Sequence, residues 1–139
     1  MSKTIMAVGA HTGDAQLTSG LLLARHAQEG DRIITLDLTA GERGTPAGFT
    51  QESFRQYNIE CAGQFAEMLG GKSIVLDTPD GELEYSNELA IQIGDIMREY
   101  EVSTVLYHWK MFLRLVKMRG KKVVQQAEVL QCFCLSAIK

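Results

Sequence analysis

No stretch of this 139-residue chain approaches the eighteen or so consecutive apolar residues that span a bilayer. The apolar run after the first four residues, Ile5 to Val8, is too short for a signal-peptide core. The three cysteines are odd in number, and Cys132 and Cys134 stand too close together to suggest a disulfide frame. Reduced thiols and a cytoplasmic protein are therefore expected. Phosphate-binding motifs are also missing. "GAHTGDA" has neither the spacing of G-x-G-x-x-G nor the lysine of a P-loop, which argues against a nucleotide site. Histidine is scarce, with only His11, His26 and His108, so any metal chemistry must draw on few imidazoles. There is no internal repeat and no low-complexity linker.

What is present reads as one globular domain, with 45% apolar and 22% charged residues. The net charge of −3 argues against nucleic acid as the main partner, but it hides a division. Residues 110–139 hold seven Lys/Arg against one acid, and residues 1–109 hold seven against sixteen. Such opposite balances mark two parts to be read separately, 1–110 as an α/β domain and 111–139 as a basic tail.

The buried-strand pattern of "TIMAVGA" is followed by a helix, with Asp14 placed to cap it and Leu17, Leu21 and Ala24 at helical spacing up to Gly30. "DRIITLDLT" reads as a second strand and the glycine-rich "AGERGTPAGF" as a loop. A helix is predicted over Thr50–Leu69, then a strand in "KSIVLD", a turn-rich "TPDGELEYS", a helix capped by Asn87 and a fourth strand in "STVLYHW". Alternating strands and helices of these lengths require right-handed crossovers. The predicted fold class is α/β, a Rossmann-like three-layer α-β-α sandwich with a mainly parallel sheet. The fourth strand should pair in parallel with the first, where strand order reverses. In the tail the pattern degrades; a basic amphipathic helix over Met111–Met118 and a second helix from Val123 onward are the expectations.

In such a sheet, ligands bind where loops leave the carboxyl ends of the strands. His11 and Asp14 follow the first strand, Glu42 and Arg43 the second and Asp80 the third, while His108 ends the fourth. Singly, each reads as well as a solvated loop charge; their convergence on one edge makes them a candidate site. Imidazole and carboxylate both bind zinc at about 2.0–2.2 Å, so H-x-x-D from His11 to Asp14 can begin a metal site, though the bare pattern is common. His26, in mid-helix, reads as a surface or packing histidine.

The string "AHTGDAQL", a strand ending in "LT", "GERG", the helix "FRQYNIECAGQFAEMLG", "LDTPDGEL" and "STVLYHWK" occur in an order that resembles the PIG-L/LmbE-like de-N-acetylases over residues 4–110. That resemblance implies a zinc-dependent hydrolase removing acetyl from an N-acetylglucosamine-type sugar. By it, His11 and Asp14 are zinc ligands; Glu42, Arg43, Asp80 and His108, placed at the same strand edge, are expected to line the substrate pocket. The family carries its general base one residue before the ligating aspartate and a third ligand in an H-x-x-H segment after the fourth strand. Here Gly13 occupies the base position and Thr12 stands where the family has proline; no H-x-x-H follows Trp109. Zinc held by two ligands would be weakly bound, and loss of a general base typically costs about 10²–10⁴-fold in rate.

Family-like sequence stops near Lys110, so a truncation or frameshift there is one expectation and a divergent element packing over the sheet edge the other. Two functional readings stand: an impaired hydrolase of this lineage with a small acetamido-sugar substrate, or a non-catalytic sugar-binding or assembly relative. A lesser reading has the basic tail binding acidic surfaces. A homo-oligomer is compatible with the sequence.

Overall fold

The computed structural model describes residues 2–84 and 86–107, together with the backbone of 128–131. Strand β1 (Thr4–His11) leads into helix α1 (Asp14–Gln28), then β2 (Arg32–Thr39) and a 3₁₀ turn at Glu42–Gly44. Helix α2 (Gln51–Met68), β3 (Lys72–Val75), α3 (Asn87–Glu99), β4 (Thr104–Tyr107) and β5 (Glu128–Gln131) follow. The five strands form one sheet in the order β3-β2-β1-β4-β5, and every neighbouring pair is parallel. The order reverses between β1 and β4, where Ile5 pairs with Thr104 and Val8 with Tyr107. This is the predicted pairing. It puts the ends of β1, β2 and β3 beside one another at the carboxyl edge.

Two cores sandwich the sheet because successive strand residues face opposite sides. On one face Ile5, Ala7, Ile33 and Leu106 pack with Ala15 and Leu23 of α1, with Phe65 of α2 and with Leu69 at the end of α2. On the other, Met6, Val8, Ile34 and Leu36 pack with Leu89, Ala90, Ile93 and Met97 of α3. Full burial of one such Leu or Ile is worth roughly 1.5–3 kcal/mol, so these two faces hold the layers together. Among the described residues no helix is long and apolar enough to cross a membrane.

Four local expectations are corrected. Helix α1 does not bury Leu17 and Leu21, which are 85% and 90% exposed; it turns Ala15, Ser19 and Leu23 to the sheet. Two of the three buried positions, Ala15 and Ser19, are small, so the face that packs is not the one with the bulkiest side chains. Asp14 is not the cap of α1. The cap position is Gly13, without a side-chain bond, and Asp14 turns back to the end of β1. The cap of α3 is Ser86, whose hydroxyl accepts from the Leu89 amide at 3.1 Å, in place of Asn87. In the tail, Glu128–Gln131 is a strand paired with β4, where a helix was expected. The expected helix over Met111–Met118 lies outside the described residues.

Helix α2 starts one residue inside the predicted range, with Thr50 as its cap. The Thr50 hydroxyl accepts from the Ser53 amide at 3.1 Å, and the Ser53 hydroxyl accepts from the Thr50 amide at 2.9 Å. Two amides that the helix cannot pair internally are satisfied at once.

Candidate functional site

The carboxyl end of β1 turns into α1 through Ala10, His11, Thr12 and Gly13. The turn is tied to its neighbour by Thr12, whose hydroxyl donates to the Ala40 carbonyl at 2.9 Å. Asp14 Oδ2 accepts the amides of Ala10 and His11 at 2.9 and 3.0 Å, which fixes its carboxylate against the strand end. The His11 ring is half exposed. Its Nδ1 lies 3.6 Å from Asp14 Oδ2, and its Nε2 donates to Asp80 Oδ1 at 3.0 Å.

Asp80 is held from two further directions. Its amide donates to Glu42 Oε1 at 2.8 Å, and its Oδ2 accepts from the Arg43 amide at 3.2 Å. Glu42 is 9% exposed, and its second oxygen lies 3.6 Å from Arg55 Nη1. Arg55 Nη2 donates to Asp77 Oδ1 at 2.8 Å. A chain of charges thus runs from His11 through Asp80 and Glu42 to Arg55, joining the loops after three strands. The Arg43 guanidinium is exposed, 3.7 Å from Glu82. His108 lies outside the described residues.

Gly9 explains how Asp14 comes so close to the sheet. A Cβ there would stand 2.7 Å from Asp37 Oδ1 and 2.8 Å from Asp14 Cβ, so glycine alone allows the approach. Beneath it Asp37 is completely buried, and neither of its oxygens has a hydrogen-bond partner. Burial, helped by the nearby charge of Asp14, pushes its carboxyl up to about 8, so it is protonated at neutral pH. Sequence reasoning passed over Asp37 as a strand residue. The only available signal was a lone acid inside the apolar run "IITLDLT". Arg55, the arginine of "FRQYNIECAGQFAEMLG", carries no local sign of this role in the sequence, because its partners Glu42 and Asp77 are remote from it.

Two ligands on a tetrahedral zinc, at about 2.0–2.2 Å each, stand roughly 3.4 Å apart. The 3.6 Å between His11 Nδ1 and Asp14 Oδ2 fits that separation. A metal-bound histidine commonly donates its other ring N–H to a carboxylate, and Asp80 stands in that place. The described residues therefore fit zinc as two ligands and one orienting carboxylate. A cleft of about 210 Å³ opens beside this corner, lined by Thr12, Gly13, Gln16, Asn58, Cys61 and Ala62.

Comparison with known proteins gives three kinds of match. The family model PIG-L, GlcNAc-PI de-N-acetylase, matches residues 6–112. A curated relative, the 4-oxalmesaconate hydratase of Pseudomonas putida KT2440, is 27% identical over 112 residues, 76% of this chain and 43% of the relative. The chain thus spans less than half the length of that relative. Among solved structures, GalB, the 4-carboxy-2-hydroxymuconate hydratase from Pseudomonas putida KT2440, has a TM-score of 0.74 at 20% identity. That match covers 94% of this chain and 63% of the other. The N,N'-diacetylchitobiose deacetylase from Pyrococcus horikoshii has a TM-score of 0.76 at 18% identity, covering 89% and 53%. These two structural likenesses show the fold.

Proposed function

From the premise that the chain belongs to the PIG-L de-N-acetylase family, we propose that its carboxyl-edge corner is the zinc-holding part of a hydrolase site. The proposed substrate is the acetamido group of an N-acetylglucosamine-type sugar. The observation that carries this reading is the pairing of His11 Nδ1 with Asp14 while Asp80 holds Nε2. Zinc, when bound, supplies a water of lowered pKa and polarises the amide carbonyl.

The chain's own residues do the rest. Asp80 keeps the Nε2 proton in place, so the ring presents an unprotonated Nδ1. Glu42 acts through Asp80 by gripping its amide, and the Arg55 guanidinium stands 3.6 Å from the other Glu42 oxygen as its counter-charge. Arg43 and His108 are the proposed contacts to the sugar. Gly13 supplies no carboxylate to take a proton, so amide hydrolysis by this chain is slow in this reading.

A second reading, addition of water to an electron-poor carbon–carbon double bond, is favoured by that same Gly13 together with the hydratase relative. One comparison separates the two. Zinc-loaded protein is given N-acetylglucosamine and, separately, an unsaturated dicarboxylate. Acetate release supports the hydrolase, and loss of the conjugated ultraviolet band supports the hydratase. Zinc binding with neither signal supports the non-catalytic relative.

A further inference from the structure

At the opposite edge of the sheet, where α1 runs into β2, we propose that His26, Glu29 and Asp31 form a second metal site, suited to a zinc-class divalent ion. Twelve residues of helix separate it from Asp14, about 18 Å at 1.5 Å per residue, so it shares no ligand with the corner described above.

Three donor atoms converge there, one from each residue, all within 4.8 Å of one another. His26 Nδ1 lies 2.8 Å from Asp31 Oδ2 and 3.9 Å from Glu29 Oε2. These distances straddle the roughly 3.4 Å edge of a zinc tetrahedron. At His11 the two carboxylates face opposite ring nitrogens, so one ion cannot join all three groups. At His26 both carboxylates face the same nitrogen.

Each carboxylate is also aimed by a donor from outside the trio. Asp31 Oδ1 accepts the Lys3 amide at 2.8 Å, and Glu29 Oε1 accepts Arg25 Nε at 3.0 Å. In both cases the oxygen left over is the one turned to the imidazole. The donors lie at the carboxyl end of α1, where the helix dipole favours a cation. Arg25, paired with Glu29, and Lys3, close to Asp31, are positive groups that oppose one. An ion bound here would join the end of α1, the start of β2 and, through Asp31, the residue ahead of β1. Its role would be to clip the fold rather than to take part in the reaction.

The test uses the full chain carrying His11→Ala, Cys132→Ser and Cys134→Ser, freed of metal and titrated with zinc by calorimetry. One equivalent should still bind and raise the melting temperature. Adding His26→Gln removes the one imidazole donor of the trio and should abolish saturable zinc uptake. Glu29→Gln leaves the His26–Asp31 bond in place and removes the exposed Arg25–Glu29 ion pair, so it should weaken zinc with little change in the melting temperature of the metal-free protein. The proposal is overturned if the triple variant takes up no zinc saturably. It is equally overturned if zinc affinity is unchanged by both His26→Gln and Glu29→Gln, with circular dichroism showing the fold intact.

Discussion

At Gly13 the backbone has φ +100°, and nothing lies within 4 Å of where a Cβ would stand. There is room for a carboxylate; the cost is conformational. A non-glycine residue in the left-handed region costs about 1–2 kcal/mol, and aspartate is among those that tolerate it best. Gly13→Asp should therefore fold with a slightly lower melting temperature. On the hydrolase reading it should raise zinc-dependent acetate release by about 10²-fold or more. Zinc bound equally by both proteins, with no acetate from either, would remove Gly13 as the catalytic gap.

Asp37 allows a separate test of the same neighbourhood. Its carboxyl titrates near 8 when folded, against an ordinary 3.8. A raised folded pKa gives stability that is fully present below pH 4 and is lost as pH rises through the folded value. That loss is on the order of 5 kcal/mol between those limits. Asp37→Asn cannot titrate, so its stability relative to the parent should climb steadily from pH 5 to pH 8 in urea unfolding. Parallel curves for the two proteins would show that Asp37 is not a buried acid. The residue was illegible in the sequence because a strand acid normally faces water; only the sheet's being covered on both faces makes it costly.

Helices were readable as existing, but not always in the way they face. The helix over Thr50–Leu69 was found nearly to the residue because its cap lies in adjacent sequence, where Thr50 and Ser53 bond each other. Removing that hydroxyl in Thr50→Ala should cost about 1 kcal/mol in urea unfolding, with little effect on zinc. For α1 the sequence reading rested on Leu17, Leu21 and Ala24, and the two leucines of that set face solvent. Which stripe packs depends on how near the helix lies to the sheet, a tertiary quantity. Arg55 on α2 is the element-scale support of the site. Arg55→Ala leaves the buried Glu42 carboxylate without its cation and should cost about 2–3 kcal/mol. It should also speed hydrogen exchange at the Asp80 amide, which Glu42 holds. Unchanged exchange there would disconnect Arg55 from the corner.

For the whole molecule, alternation of strands and helices together with the handedness rule was enough to place β4 beside β1 and reverse the order between them. That inference carried the carboxyl edge with it, and so the meeting of His11, Asp14 and Asp80. The strand at Glu128–Gln131 was not legible, because four residues in a basic, weakly periodic segment carry almost no pattern. The division of roles around Asp80 was hidden for another reason: Glu42 and Asp80 are far apart in sequence and meet only when three loops close together.

The central claim is that His11 and Asp14 hold a zinc ion that Asp80 helps to orient. It is tested most directly by zinc calorimetry on the His26→Gln, Cys132→Ser, Cys134→Ser protein, in which this corner is the remaining proposed site. The account predicts one bound zinc, lost on adding His11→Ala and weakened about 10–100-fold by Asp80→Asn. Zinc affinity unaffected by His11→Ala would contradict it.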